Sequence, residues 1–275
     1  MQEQKPNAVI GFGSYVSIPI CRAAHKLNIP FAIHEQNSVM GMANKYLCRY
    51  AEATFLSYEK AKKANSKNVI ITGNPVRKSF FNAKKLDGRK LLEVPENAKL
   101  LLVFGGSLGA AHINDSLLKI LSELLERKDL YIVHITGEKN FNEVNSKVNL
   151  DAEKKARYKI LPYQNKMAET FAASDACISR AGASTIAELT AKQLPALLIP
   201  YPHATENHQF YNAQALLDAG CAMYLNDKAV LTPEFKKAVV KLIDNDDMRE
   251  NMRDAYSKFD VENSAKKIAD ILENL

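Results

Sequence analysis

The sequence predicts an α/β fold with two Rossmann-like domains, and three observations lead to that prediction. Short runs rich in Val, Ile and Leu alternate with longer amphipathic stretches, which is the pattern of βαβ units around parallel sheets. The chain has 275 residues, more than one typical domain needs. A stretch rich in Lys, Asn, Asp and Pro interrupts the pattern between residues 77 and 99, so we expect a domain boundary there.

Ten apolar runs are predicted to be strands, four before the boundary and six after it. They are Ala8–Ile10, Phe31–His34, Ala53–Leu56, Val69–Thr72, Leu100–Phe104, Tyr131–Ile135, Tyr158–Leu161, Ala176–Ser179, Ala196–Ile199 and Ala222–Tyr224. The second set suffices for a complete doubly wound domain, whereas the first looks short. We predict a first domain over residues 1–78, a linker over 79–99, a second domain over 100–250, and a helical tail over 251–275 that packs back toward the first domain.

Composition and charge narrow the class of protein. The net charge of +6 suits phosphate-bearing ligands or an anionic membrane surface, but the basic residues are scattered and give no nucleic-acid signature. The four cysteines are far apart in apolar surroundings, which indicates reduced core residues rather than a zinc site or disulfides. No apolar run is long enough to span a membrane, so any membrane contact is expected to be peripheral.

The strongest local motif is a predicted strand that enters a glycine turn and then a helix, with Gly105, Gly106 and Gly109 in the turn. Glycines let a backbone approach a ligand closely, and the amides at a helix start favour a phosphate. Ser107 would add a hydroxyl donor. The alternative is a plain tight turn; the motif is neither a Walker loop nor a close match to the dinucleotide fingerprint.

Two further motifs follow predicted strands. Residues 179–189 repeat the strand, small-residue turn and helix start, and place Glu188 on the first turns of a helix, where a carboxylate can accept hydrogen bonds from a ribose diol. The alternative for Glu188 is a capping box with Ser184 or Thr185. Residues 199–213 form a polar loop after another strand. Because carboxyl ends of parallel strands meet at one edge, the three loops predict a cleft.

These motifs resemble those of the MurG family of bacterial peptidoglycan N-acetylglucosaminyltransferases. Gly-Gly-Ser-x-Gly-Ala at 105–110, Gly-Ala-Ser-Thr-Ile-x-Glu at 182–188 and Asn-His-Gln at 207–209 occur in the family's order. The first domain agrees, with a second glycine loop at 11–17, His-Glu-Gln-Asn at 34–37 followed by Gly41 and Asn44, and the interdomain motif at 73–77. The resemblance covers nearly the whole chain and implies a GT-B fold, in which two Rossmann-like domains face a cleft.

The resemblance also implies the site residues. Those expected to bind the donor UDP-GlcNAc are Asn37, Arg77, Ser107, Tyr163, Ala183, Ser184, Thr185, Ile186, Ala187, Glu188 and Gln209. Arg77 and Ser107 would hold the diphosphate, and Glu188 the ribose. Gln209 would reach the sugar hydroxyls and Tyr163 the uracil. Residues expected on the acceptor side are Gly13, Tyr15, His34 and Glu35.

The implied reaction is inverting transfer of GlcNAc to the C4 hydroxyl of MurNAc in lipid I, which gives lipid II for peptidoglycan synthesis. It implies no cofactor and no metal, a peripheral location at the cytoplasmic face of the bacterial cell membrane, and contact with other cell-wall synthesis and division proteins. A basic and apolar helix face at Lys45, Tyr46, Leu47, Arg49 and Tyr50 could contact the membrane, or be an ordinary buried stripe with a solvated face.

The sequence departs from the family at its start. Family members begin with a Gly-Gly-Thr-Gly-Gly-His loop whose histidine is a candidate base, and nothing in residues 1–8 matches it, so the first domain is expected to be incomplete and the catalytic base stays unidentified. A start site placed too late, a true truncation and a split enzyme would each explain this. The rival functions are a donor-binding part that is inactive without its missing segment, and a UDP-GlcNAc 2-epimerase.

Overall fold

The computed structural model describes residues 3, 6–61, 66, 68–106, 109–259 and 263–275. These residues form two compact units. The first comprises Met1–Val76 together with Asp260–Leu275, and the second comprises Arg77–Phe259. Residues 260–275, the larger part of the tail predicted at 251–275, therefore belong to the first unit. Residues 251–259 belong to the second unit.

The strands follow the predicted apolar runs to within one residue at each end. They are β1 (Val9–Gly11), β2 (Phe31–Glu35), β3 (Ala53–Leu56), β4 (Val69–Ile71), β5 (Lys99–Phe104), β6 (Leu130–Ile135), β7 (Tyr158–Leu161), β8 (Ala176–Ser179), β9 (Ala196–Leu198) and β10 (Ala222–Tyr224).

The α-helices fill most of the segments between the strands and the end of the chain. They are α1 (Ser17–Lys26), α2 (Met42–Leu47), α3 (Lys78–Asn82), α4 (Lys85–Leu92), α5 (Ala111–Leu124), α6 (Glu138–Ser146), α7 (Ala152–Lys155), α8 (Met167–Ala173), α9 (Ala183–Lys192), α10 (His208–Ala219), α11 (Pro233–Asp244), α12 (Asp246–Ala255) and α13 (Ser264–Leu272). Short 3₁₀ turns lie at Glu59–Ala61, Thr205–Asn207, Asp227–Leu231 and Tyr256–Lys258.

The first unit is a parallel sheet with the order β1-β2-β3-β4. Its central strands are apolar on both faces, as expected when helices cover both sides. Helices α1 and α2 bury Cys21 and Leu47 on one face. On the other, Ile268 of α13 packs against Phe55, so the end of the chain completes this unit's core.

The second unit is a parallel sheet with the order β10-β9-β8-β5-β6-β7. Its core joins the inner faces of β5 and β8 to the apolar stripes of α5 and α11, for example through Val103, Ile113, Ile178 and Val239. The parallel pairing in both sheets confirms the α/β class and the Rossmann-like architecture.

The segment predicted to be a linker, residues 79–99, is instead mostly helical. Helices α3 and α4 occupy it and pack on α8 and α9 within the second unit. Gly88 permits this packing, because a Cβ there would lie 2.1 Å from the Glu169 carbonyl oxygen. The charged composition was misleading because Arg89 is buried and Leu92 packs inward while the lysines face solvent.

Among the residues that the structure describes, no helix is long and apolar enough to cross a bilayer.

Candidate functional site

The carboxyl ends of the strands in the second unit form the edge where the three predicted loops meet. The glycine turn follows β5 and the turn at residues 180–182 follows β8, and these two strands are neighbours. From this pair, β6 and β7 continue to one side and β9 and β10 to the other. In open parallel sheets, ligands bind in the crevice at such a topological switch point. The topology therefore selects this crevice as the candidate site.

The glycine turn begins at Gly105 and contains two residues with left-handed backbone. Gly106 has a φ of +87° and Gly109 a φ of +74°, and the Gly109 amide donates to the Gly106 carbonyl oxygen at 3.0 Å. A Cβ on Gly109 would lie 2.2 Å from the Thr136 carbonyl oxygen, whereas one on Gly106 would meet no described atom within 4 Å. Packing therefore requires glycine at Gly109. Ser107, the predicted hydroxyl donor, lies outside the described residues.

A buried hydrogen-bond network holds the Thr136 carbonyl oxygen against which the turn rests. Asn114 Nδ2 donates to it at 3.1 Å, and Asn114 Oδ1 lies 2.9 Å from His134 Nε2. The Tyr158 hydroxyl lies 2.7 Å from His134 Nδ1. Burial lowers the pKa of His134 to about 3, so the ring is neutral, with Nε2–H donating to Asn114 and Nδ1 accepting from Tyr158.

Neither His134 nor Asn114 is among the site residues predicted from the sequence. One signal was available, since a histidine inside the apolar run of β6 has to find polar partners when it is buried. Nothing in one sequence indicated that those partners belong to α5 and β7.

Helix α9 begins at the crevice without a side-chain cap. Its N-cap residue is Gly182, and Ala183, Ser184 and Thr185 form the first turn with at least part of each exposed. Uncapped amides at a helix start, together with the helix dipole, favour an anion. The capping-box alternative for Glu188 is wrong, because neither Ser184 nor Thr185 is a cap residue.

Two residues predicted to bind the ligand face away from the crevice. Ile186 is 1% exposed and Ala187 is 6% exposed, and the Ile186 amide already donates to the Gly182 carbonyl oxygen at 2.9 Å. Helix periodicity explains their burial, because residues four and five after the cap turn toward the neighbouring helices. Their side chains therefore belong to the core.

Glu188 and Arg77 form an ion pair beside this helix, with 3.3 Å between Glu188 Oε1 and Arg77 Nη2. The Arg77 side chain is 64% exposed and its guanidinium lies 5.2 Å from the centroid of the Phe80 ring. Burial raises the pKa of Glu188, and Arg77 opposes that rise by favouring the carboxylate. The Arg77 guanidinium is thus an exposed cation, and the Glu188 carboxylate in contact with it is a half-buried hydrogen-bond acceptor.

Gln209 connects the loops that follow β8 and β9. Its Oε1 accepts hydrogen bonds from the backbone amides of Ala181 at 3.2 Å and Tyr201 at 2.9 Å. The residues just before α10, Glu206 and Asn207, both have positive φ. Because Oε1 is committed to the backbone, Gln209 can serve a ligand only through its Nε2 donors.

Tyr163 lies in the turn between β7 and α8 and is 52% exposed. Strand β7 is the outermost strand on one side of the switch point, so this residue stands at one end of the site-bearing edge. Its predicted contact with a pyrimidine ring stays a prediction.

In the first unit, His34 is buried and both ring nitrogens are used. Its Nε2 lies 3.0 Å from the Gly73 carbonyl oxygen and its Nδ1 lies 3.2 Å from Gln36 Nε2. Burial lowers the pKa of His34, although the Gly73 hydrogen bond and Glu35 oppose this. The carbonyl partner requires Nε2–H, so Nδ1 is the acceptor for Gln36. His34 is thus a structural hydrogen-bonding group and not an available base.

Glu35 organises the turn that follows β2. Its Oε1 accepts from the backbone amide of Asn37 at 3.0 Å and from Asn37 Nδ2 at 3.2 Å. Its Oε2 accepts from the Gly41 amide at 2.9 Å and from Asn44 Nδ2 at 2.8 Å. A buried carboxylate with four donors fixes the position of Asn37. The ligand contact predicted for Asn37 itself stays a prediction.

The turn after β1 presents the other predicted residues of this unit. Gly13 has a φ of +81° and Ser14 a φ of +64°, so Ser14 stands at a position where glycine is less strained. Tyr15 is 76% exposed at the tip of the turn. This geometry leaves the Tyr15 ring available for a partner molecule.

Comparison with known proteins assigns the two units to one family. Residues 100–272 match the glycosyltransferase family 28 C-terminal domain and residues 1–56 match the N-terminal domain of that family. A Carboxydothermus hydrogenoformans protein, named UDP-N-acetylglucosamine--N-acetylmuramyl-(pentapeptide) pyrophosphoryl-undecaprenol N-acetylglucosamine transferase, is 38% identical to this chain over 278 residues, covering 100% of this chain and 74% of the relative.

Solved structures agree with the fold. The crystal structure of Acinetobacter baumannii MurG has a TM-score of 0.78 and 29% identity, covering 100% of this chain and 75% of that one. The Neisseria meningitidis UDP-GlcNAc 2-epimerase, bound to UDP-GlcNAc, has a TM-score of 0.65 and 16% identity, covering 100% of this chain and 78% of the epimerase. At that identity the epimerase shares the fold alone, whereas the MurG structure confirms the GT-B fold class.

Proposed function

This chain belongs to the MurG family within glycosyltransferase family 28, and from that premise we propose that it moves N-acetylglucosamine from UDP-GlcNAc to lipid I. The acceptor atom is the C4 hydroxyl of N-acetylmuramic acid, the transfer inverts the anomeric carbon, and the product is lipid II. The observation that carries the proposal is the switch-point crevice, where a glycine turn, an uncapped helix start and the Arg77–Glu188 pair lie at one sheet edge.

The donor diphosphate is proposed to lie at the start of α9 and the glycine turn. The uncapped amides of Ala183 to Thr185 supply donors, and Ser107 would add a hydroxyl. Arg77 provides a permanent positive charge. As the glycosidic bond breaks, the same groups stabilise the negative charge that develops on the departing UDP.

The remaining donor groups have separate roles. Glu188 accepts hydrogen bonds from the ribose diol, and Gln209 donates from Nε2 to a sugar hydroxyl while its Oε1 keeps the loops in place. Tyr163 packs on the uracil. In the first unit, Tyr15 and the turn held by Glu35 serve the acceptor. Neither His34 nor Glu35 is proposed as the base: Gly73 and Gln36 occupy the two ring nitrogens of His34, and donors of the turn after β2 occupy Glu35.

Gly109→Ala is expected to weaken UDP-GlcNAc binding at least tenfold, because the new Cβ would overlap the Thr136 carbonyl oxygen and displace the phosphate turn. Gly106→Ala is the matched control, since its Cβ meets no described atom within 4 Å and costs only about 1 kcal/mol of backbone strain. Isothermal titration calorimetry on both variants checks the difference. Equal losses in the two variants would show that conformation, and not packing, sets the turn.

The proposed activity is tested by incubating the purified chain with radiolabelled UDP-GlcNAc and a short-chain lipid I analogue, after circular dichroism confirms folding. We expect label in a disaccharide product, with free UDP formed in equal amount. UDP-GalNAc, the C4 epimer, is the matched control donor, and a reaction without acceptor measures hydrolysis. Formation of UDP-ManNAc would indicate an epimerase instead, and failure to bind UDP-GlcNAc would contradict both functions.

A peripheral membrane location is proposed from a cluster on α1 and α2, which we call the Arg–Tyr cluster: Arg22, Tyr46, Arg49 and Tyr50. The Arg22 guanidinium lies 4.0 Å from the centroid of the Tyr50 ring, and Arg49 lies 5.8 Å from that of Tyr46. Arg22 Nη1 is buried and has no hydrogen-bond partner among the described residues. Leu47, which was predicted for the same surface, is instead fully buried.

The double variant Arg22→Gln/Arg49→Gln is expected to reduce the affinity for phosphatidylglycerol vesicles, measured by cosedimentation, about thirtyfold, because each basic side chain near an anionic surface contributes about 1 kcal/mol. Lys237→Gln/Lys241→Gln removes the same charge from α11 and is the control. Equal reduction by both pairs would mean that net charge alone drives binding, and would refute a specific role for the Arg–Tyr cluster.

A further inference from the structure

Arg180 and Asp227 form a buried ion pair that crosses the carboxyl end of β9. Arg180 follows β8 directly, Asp227 lies in the 3₁₀ turn after β10, and β9 is the strand between those two. The Arg180 guanidinium donates to one carboxylate oxygen of Asp227, and the two side chains are 10% and 4% exposed. A buried ion pair is often no more stabilising than apolar side chains of the same volume, so stability alone does not explain its place at the site-bearing edge.

The charges of this pair balance each other. Burial alone would raise the pKa of Asp227, but hydrogen bonds and charges from Arg180 and His112 hold that pKa below its usual value. Asp227 is therefore an anion that balances the Arg180 cation. Its second oxygen, Oδ2, lies 2.7 Å from His112 Nδ1 of α5, so the carboxylate is held from two sides.

Besides Asp227, the Arg180 guanidinium contacts two consecutive carbonyl groups. Its Nη1 lies 3.2 Å from the Ile199 carbonyl oxygen and 3.3 Å from that of Pro200, and both contacts are buried. The Tyr201 ring also lies against the guanidinium, whose central carbon is 5.6 Å from the ring centroid. These contacts fix the backbone where the loop after β9 begins.

Gln209 is bound by the same two segments that Arg180 connects. Its Oε1 accepts from the Ala181 amide at 3.2 Å and from the Tyr201 amide at 2.9 Å. Ala181 follows Arg180 in the chain, and Tyr201 follows the Pro200 carbonyl group that Arg180 holds. Two donors from different loops determine where Oε1 lies, and the planar side-chain amide then determines the direction of Nε2. A shift of either backbone amide would therefore move the Nε2 donor.

The two backbone amides differ in what else holds them. Asn212 of α10 is fully buried, and its Nδ2 donates to the Ala181 carbonyl oxygen at 3.2 Å, so α10 holds this peptide from its other side. At the start of the loop after β9, the Arg180 guanidinium supplies the contacts to the two carbonyl groups before Tyr201. Loss of Arg180 is therefore expected to displace the Tyr201 amide more than the Ala181 amide.

Resting on the proposed function, in which Gln209 Nε2 donates to a hydroxyl of the donor sugar, we infer that Arg180 is a positioning residue for that sugar. Asp227 holds Arg180, Arg180 holds the loop after β9, and the Tyr201 amide of that loop holds Gln209. The pair thus acts on recognition of the hexose and not of the nucleoside diphosphate, for which the start of α9 and Glu188 are proposed.

The double variant Arg180→Met/Asp227→Asn tests the inference without leaving an unpaired buried charge. Methionine fills much of the arginine volume and asparagine Oδ1 can still accept from His112, so the variant is expected to fold. Calorimetry measures the dissociation constants of UDP-GlcNAc and of UDP, which lacks the sugar. We expect UDP-GlcNAc to bind the variant about five- to tenfold more weakly than the unmodified chain, the loss of one neutral hydrogen bond, and UDP to bind both within about twofold.

Two further variants test the route through Gln209. Gln209→Ala should weaken UDP-GlcNAc by a similar factor, and adding Arg180→Met/Asp227→Asn to it should weaken binding by less than about twofold more, because effects that pass through one group are not additive. Arg180→Lys keeps a cation beside Asp227, but one ammonium group does not reproduce the guanidinium fork, so the same selective loss is expected. Full additivity with Gln209→Ala would overturn the inference.

Arg157→Met is the matched control, because Arg157 is also a buried arginine that donates to backbone carbonyl oxygens, those of Arg127 at 2.7 Å and Leu125 at 2.8 Å. It lies before β7, at the opposite end of the sheet, and its loss should leave the ratio of the UDP and UDP-GlcNAc affinities unchanged. Equal weakening of both ligands in the Arg180 variants would show a merely structural role, and unchanged UDP-GlcNAc affinity would show that Arg180 only balances Asp227. Either outcome would overturn the inference alone, whereas the proposed function fails if the unmodified chain binds no UDP-GlcNAc.

Discussion

Glu188→Ala is expected to lower kcat/KM for UDP-GlcNAc by about 10²- to 10⁴-fold, because two hydrogen bonds to a charged carboxylate contribute roughly 1.5–3 kcal/mol each and 1.4 kcal/mol is a factor of ten. The half-buried position of Glu188 strengthens this expectation, since water replaces a lost partner poorly there. Steady-state transfer rates with a lipid I analogue measure the effect.

A double-mutant comparison assigns the effect to the ribose. For the unmodified chain, the 2′-deoxyribose analogue of UDP-GlcNAc should be a poorer donor than UDP-GlcNAc. For Glu188→Ala the two donors should be equally good, because the variant has no carboxylate to bind the 2′-hydroxyl. Glu138→Ala, which removes an exposed glutamate from the first turn of α6, is the matched control and should leave both donors unchanged. If the 2′-deoxy analogue were still a poorer donor than UDP-GlcNAc for Glu188→Ala, the proposed contact between Glu188 and the ribose would be contradicted.

The Glu188 carboxylate is also expected to make the affinity for UDP-GlcNAc fall at low pH. Burial raises the pKa of Glu188, and only the ionised form can accept from both ribose hydroxyls, so affinity is lost as the pH falls through this raised pKa. The neutral variant Glu188→Gln should not show this loss of affinity.

The sequence predicted the strands well because parallel strands buried on both faces are continuous apolar runs. It predicted the site-bearing edge because Gly105–Gly109 and residues 179–189 each follow such a run, and parallel topology brings their carboxyl ends together. Helix periodicity limited the prediction at residue level. The predicted donor-binding segment 183–188 included Ile186 and Ala187, because a sequence motif is continuous. In the helix, the side chains of these two residues point into the core.

Partners that are distant in sequence were beyond the same reasoning. His112 and Asp227 are 115 residues apart and meet because α5 contacts the 3₁₀ turn after β10. Arg89 was assigned to a linker because its neighbours are charged, and nothing local distinguishes a buried arginine from a solvated one. In both cases the prediction would require knowing which backbone carbonyl or carboxylate groups need a hydrogen-bond donor in the folded chain. One sequence does not give that information.

Arg89→Leu is expected to lower the free energy of unfolding of the second unit by about 3–5 kcal/mol, the cost of removing one partner from a buried charge network. Arg89 is 2% exposed. Its guanidinium donates to the carbonyl oxygens of Ala173, Pro95, Glu96 and Ala98 and to Asp175 Oδ2, the last at 2.6 Å. Leucine fills part of the volume but leaves these acceptors without their donors.

Lys85→Ala provides the matched control, because Lys85 reaches the other oxygen of the same carboxylate, Asp175 Oδ1, at 2.6 Å from a side chain that is 52% exposed. An exposed ion pair of this kind contributes at most about 1 kcal/mol. Urea denaturation followed by circular dichroism, with the slope compared among variants, gives both values. Losses of similar size in the two variants would show that Arg89 acts only as a counter-charge for Asp175, whereas the geometry argues that it mainly satisfies the carbonyl groups at the start of β5.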